Sequence, residues 1–103
     1  MSIKTITRSE FNRLLPHNSA LEHLMVEQVG WFSNTSGSVL GTIGRGKGVA
    51  GWNYVILKQE EKGGFCVRKV MSNFFALKPA KDDLLISMAE LASERPAVLL
   101  GRD

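Results

Sequence analysis

Between Glu27 and Ser72 the chain divides into four short runs, EQVGWFSN, SVLGTIGR, GWNYVILKQ and GFCVRKVMS, rich in β-branched and aromatic residues and parted by polar or glycine-containing stretches. That pattern predicts strands. The connectors are short: Asn34-Thr35-Ser36-Gly37 and Glu60-Glu61-Lys62-Gly63-Gly64 both have turn composition. Sequential neighbours should therefore pair, giving a four-stranded antiparallel meander. In the third run Trp52, Tyr54 and Ile56 share one face and Asn53, Val55 and Leu57 the other, because side chains alternate along a strand. Apolar groups on both faces predict an interior strand. The fourth run sets Phe65, Val67 and Lys69 against Cys66, Arg68 and Val70, a mixture suited to an edge.

Helices are expected on either side of these strands. Thr7 followed by Glu10 fits a capping box, with Phe11, Leu14 and Leu15 at helical spacing until Pro16 intervenes. Ser19 and Glu22 repeat the pattern, predicting a second short helix from about Ala20 to Met25 with Leu21, Leu24 and Met25 as its apolar positions. The strongest helix runs from about Pro79 to Ser93, with an apolar stripe of Leu84, Leu85, Met88, Leu91 and Ala92. Lys81, Asp82, Asp83, Ser87, Glu90 and Glu94 fall outside that stripe. The expected class is α+β: two short N-terminal helices, a four-stranded antiparallel β-meander, and a C-terminal amphipathic helix packed on one sheet face. Three helices cannot fully bury both faces of one small sheet, so one face should stay partly open or be covered by a second copy of the chain.

A length of 103 residues predicts one domain, with an ordered core over about 7–95 and a tail, 96–103, that is a loose end or a docking strand. The apolar fraction of 44% and charged fraction of 22% are those of a globular chain, not a disordered one. A net charge of +3 permits acidic partners but is far from the dense patch of a dedicated duplex-DNA binder. The N-terminal MSIKTITRSEF lacks a signal-peptide layout and no apolar run approaches a membrane span, so a cytoplasmic protein without membrane contact is expected.

Gly46-Lys47-Gly48-Val49-Ala50-Gly51 spells G-x-G-x-x-G. A dinucleotide fingerprint needs those glycines between a strand and a helix, where free amides and the helix dipole hold a pyrophosphate. Here strand-like runs flank them on both sides. A flexible hairpin loop of about Arg45 to Gly51 is expected instead, with glycines supplying positive φ and Arg45 and Lys47 keeping the tip soluble. Between these readings lies an anion-binding nest of glycine amides beside the two cations.

Other candidate chemistry is sparse. His17 and His23 have the wrong spacing for two ligands on one helical face, and no acidic or Cys/His cluster accompanies them, so neither a metal nor a cofactor is expected. The single Cys66, between Phe65 and Val67, reads as a small buried hydrophobe. Asp82 and Asp83 point roughly 100° apart on a helix and read as solvated first-turn acids. Trp31, Phe32, Trp52, Tyr54, Phe65, Phe74 and Phe75 are expected to form the core, while one or two of them on an open sheet face would make a binding surface. Trp31, Trp52 and Tyr54 are the candidate partner-binding aromatics.

The stretches VGWFSNTSGSVLGTIGR and GWNYVILKQEEKGGFCV, followed by DDLLISMAEL, resemble a family of small bacterial α+β proteins built on a WF-x4-G-x-VLG hairpin, a W-x-[YF]-V-[VI]-L strand and a closing helix. The resemblance covers roughly residues 28 to 92. It implies a bacterial, cytoplasmic setting and structural roles for Trp31, Gly37, Leu40, Gly41, Trp52 and Leu57; no activity or binding site comes with it.

No triad, carboxylate pair or metal set can be assembled from these residues. The expected function is a small non-enzymatic interaction module that binds another protein or a second copy of itself. The alternative is a weak binder of single-stranded nucleic acid or anions, with contacts at Arg45, Gly46, Lys47, Gly48, Arg68 and Lys69 in the glycine loop and the basic fourth run.

Overall fold

The Thr7 hydroxyl accepts the Glu10 amide at 3.1 Å and so opens α1 (Arg8–Leu14), as the capping box predicts. The second cap falls one residue earlier than expected: Asn18 Oδ1 accepts the Leu21 amide at 3.0 Å, α2 spans Ser19–Leu24, and Met25 already belongs to a strand. A computed structural model describes residues 3–16 and 18–93 of the chain. His17, residues 94 and 95 of the expected core, and the tail 96–103 lie outside them.

The sheet has five antiparallel strands rather than four, in sequential order: β1 (Ile3–Ile6), β2 (Met25–Asn34), β3 (Val39–Gly46), β4 (Trp52–Gln59) and β5 (Phe65–Phe74). The additional strand is β1, which pairs from Ile3 opposite Asn34 to Ile6 opposite Trp31. Its two isoleucines face opposite sides of the sheet, so IKTI carries no period-two signal and becomes a strand only by pairing with β2.

Both faces of the sheet are covered. Ile6, Met25, Leu40, Val55 and Leu57 pack with Phe11, Leu15 and Leu21 from the N-terminal helices. Phe32, Val39, Ile43, Tyr54 and Ile56 pack against Ala80, Leu84 and Met88 of α3 (Leu77–Ala92). The expected open or dimer-covered face is thus largely closed by α1 and α2. Tyr54, Val55, Ile56 and Leu57 are all 0% exposed, which makes β4 the doubly buried interior strand that its composition predicts.

Close approach of α3 to the sheet depends on Gly41: a Cβ there would lie 2.5 Å from Met88 Sδ and 3.0 Å from Leu84 Cδ1. The helix begins two residues before the expected Pro79, which still falls in the first turn, where its missing N–H has no intrahelical partner to lose. Asp82 and Asp83 consequently lie beyond the first turn. Among the described residues no helix is long and apolar enough to cross a membrane.

β5 is the edge strand its composition predicts, but its facing differs from simple alternation. Ile56 pairs with Lys69 and Leu57 with Val67, leaving Arg68 as an extra residue in a bulge. Beyond it, Lys69 and Met71 share the α3 face, while Val70 joins Phe65 and Val67 on the other. A second irregularity sets Ser72 and Asn73 against Asn53 alone; Asn73 takes a φ of 70° and donates its amide to Asn53 Oδ1 at 3.3 Å.

Candidate functional site

The glycine-rich segment is a hairpin. β3 ends at Gly46 and β4 begins at Trp52, with Gly48 and Gly51 at positive φ. The Lys47 amide donates to the Leu24 carbonyl at 3.3 Å, which ties the loop to the end of α2 and removes one amide from any nest. The Arg45 guanidinium lies over the Trp52 ring, 4.4 Å from its centroid.

Arg45, Gly46, Lys47 and Gly48 therefore sit together at one end of the sheet, while Arg68 and Lys69 sit elsewhere. Trp52, beside the hairpin, is four residues along β4 from Ile56, the partner of Lys69, a separation of about 13 Å. The two halves of the expected anion site do not form one patch. The aromatic candidates also part. Trp31 lies on the α1/α2 face, donating from Nε1 to Gln28 Oε1 at 2.7 Å with Arg8 over its ring, whereas Trp52 lies on the α3 face. Tyr54 is wholly buried and offers no surface to a partner.

What the structure does assemble is a polar chain linking β4, β5 and α3. The Tyr54 hydroxyl donates to Asp83 Oδ2 and lies 3.3 Å from Ser87 Oγ, which in turn accepts from Lys69 Nζ at 2.8 Å. A carboxylate and an ammonium are thus bridged by the hydroxyls of two buried residues, where such bonds strengthen one another. Burial, together with the bond to Asp83, pushes the Tyr54 phenol up to about 12.

Two expectations for α3 change here. Ser87 is buried instead of lying outside the stripe, and Asp83 is half-buried instead of solvated. Asp82 alone remains at the surface, 2.8 Å from Lys78 Nζ. The signal available in the sequence was position: Ser87 stands three residues after Leu84 and four before Leu91, on the apolar stripe itself.

Ser87 and Lys69 also line a cleft of about 210 Å³ between β5 and the C-terminal half of α3, with Arg68, Glu90 and Leu91 as its remaining walls. Arg68 separates it from a wider depression of about 500 Å³ lined by Lys58, Lys62, Cys66, Glu60 and Glu61, among others. Cys66 is a half-buried free thiol rather than a core side chain. Lys58 Nζ donates to the Leu91 carbonyl at 3.2 Å near the end of α3.

β5 reaches this cleft through Arg68 and Lys69, and its side away from β4 is the edge of the sheet. No strand among the described residues pairs with it. Between the two bulges, Val70 and Met71 are 40% and 38% exposed. No family model, curated protein or solved structure matches this chain, so what the site does rests on its own geometry.

Proposed function

We propose that this chain is a non-enzymatic protein-interaction module that takes an extended segment of its partner as a sixth strand along the outer side of β5. The observation that carries the reading is the adjacent pair Val70 and Met71, exposed on opposite faces of an edge with which no strand among the described residues pairs. Edges not meant for pairing are kept short, bulged, charged or covered. β1 obeys that rule with four residues; β5, with ten, is bulged at Arg68 and at Ser72 and Asn73, and between the bulges Val70 and Met71 stay apolar and in regular register with Val55 and Tyr54. An added strand gains main-chain hydrogen bonds there and covers both apolar side chains.

The partner is read as a different chain because FCVRKVMSNF holds two cations and no acid. Antiparallel pairing of two copies would set those cations along the same short ladder, where like charges are unfavourable.

The test is amide hydrogen exchange of the labelled protein with and without millimolar acetyl-Thr-Val-Glu-Val-Thr-amide. Slowed exchange at the outward amides between Lys69 and Ser72 supports strand addition; unchanged exchange there removes it. A mass near twice 11.4 kDa by light scattering, lost in Val70→Lys, would assign the edge to a second copy instead.

A further inference from the structure

We infer that a second cavity, between β2 and the start of α3, is a binding site for a small aromatic carboxylate. It lies on the β1 side of the sheet, away from β5, and the inference is independent of the strand pairing proposed above. The cavity has a volume of about 180 Å³, and its floor is apolar. Phe32 and Ile43, 4% and 2% exposed, belong to the core beneath α3. Gly30 keeps the space over them open: a Cβ there would come within 3.0 Å of Ile43 Cγ2 and 3.4 Å of Phe32 Cε2. β2 is irregular at this point, since Gln28 pairs with Gly44 and Gly30 with Ile43, leaving Val29 without an opposite residue on β3. Val29 and Leu77 are the half-exposed apolar walls, 42% and 39% exposed.

Size sets the body of the ligand. A cavity of roughly 150 Å³ with aliphatic and aromatic walls accepts a benzene ring, so this one takes a single ring and little more. The polar lining sets its charge. Thr5 and Lys81 line the cavity and are both at the surface, so they stand at its rim. Lys81 Nζ lies over the Phe32 ring, 5.9 Å from its centroid, an attraction between charge and ring face that uses none of the three N–H donors of the ammonium. A carboxylate at the rim accepts from that ammonium and from the Thr5 hydroxyl while it stays in contact with water, so the ring is buried and the charge is not. A cationic ligand would meet the like charge of Lys81, and a neutral ring would gain from the apolar floor alone. An apolar pocket with a few convergent polar groups is the usual form of a small-molecule site.

The test is a titration of the labelled protein with benzoate and with benzamide, its uncharged counterpart of like shape, followed by amide chemical shifts at low and moderate salt. Benzoate should give saturable shifts at Val29, Gly30, Leu77 and Lys81. It should bind about tenfold more tightly than benzamide, with an advantage that shrinks as salt rises. Lys81→Met should abolish the advantage and Lys81→Arg should keep most of it; the side chain is at the surface, so both variants should fold. Val29→Trp, a bulkier wall at a half-exposed position, should weaken both ligands. Equal binding of benzoate and benzamide to the unaltered protein overturns the inference, as do benzoate shifts that fail to saturate or that gather elsewhere. Exchange along β5 is a separate readout, so this inference and the strand pairing stand or fall independently.

Discussion

Lys69 Nζ donates to Ser87 Oγ at 2.8 Å from a place opposite Ile56 on the α3 face, and Arg68 bulges out of β5 just before it. Deleting Arg68 should therefore be tolerated. Val67 would keep its place opposite Leu57, and Lys69 would follow on the α3 face in regular register. Stability by urea denaturation is expected within about 1 kcal/mol of the parent. A large loss, or loss of slow exchange along β5, would show that the bulge is needed by the fold itself.

Tyr54 should make the protein lose stability in alkali. Its phenol is raised from 10.0 to about 12 in the folded state, so the neutral form is favoured by folding. The associated stabilisation is fully present below pH 10 and lost as pH rises towards 12. It amounts to something on the order of 2 kcal/mol. As the only tyrosine in the chain, Tyr54 can be followed by phenolate absorbance, which should show one inflection near 12 in the folded protein. In Tyr54→Phe the dependence on pH between 10 and 12 should largely vanish.

Gly41→Val should be among the most damaging single changes. Even a Cβ at this position meets Met88 Sδ at 2.5 Å and Leu84 Cδ1 at 3.0 Å. Ala is expected to cost about 1–3 kcal/mol, since Met88 can bend away, and Val more, because its branch forces α3 off the sheet. Equal stability of both variants with the parent would mean that α3 rides higher on β3 than the geometry places it.

Val70→Thr combined with Met71→Thr should leave folding almost untouched, within about 0.5 kcal/mol, because both side chains are already 38–40% exposed. The same double variant should bind acetyl-Thr-Val-Glu-Val-Thr-amide several-fold more weakly. Unchanged peptide binding would detach the exposed pair from the function proposed for it.

Removing the Asn34 side chain should weaken the first hairpin. Asn34 Oδ1 accepts the Val39 amide at 3.0 Å and its Nδ2 donates to Ser38 Oγ at 3.0 Å, all within a turn where Asn34 is 3% exposed. Asn34→Ala leaves the Val39 amide buried without that acceptor, and a loss of about 1–3 kcal/mol is expected in thermal or urea unfolding.

The periodicities of the sequence by themselves determined the antiparallel meander from β2 to β5, the interior place of β4, the Thr7 cap and the glycine hairpin, because each is settled within a few neighbouring residues. Only the tertiary structure decided the rest. β1 exists through pairing with β2, across more than twenty residues of chain. Lys69 faces α3 only because the chain before it is bulged at Arg68 rather than paired residue by residue, and period-two reasoning over the full run cannot foresee a step of one residue. Ser87 is buried and Asp83 half-buried where the Tyr54 hydroxyl, 33 and 29 residues away in the chain, comes to lie against them. A polar side chain on an apolar stripe marks such a place in the sequence, but its partner is chosen by how helix and sheet pack.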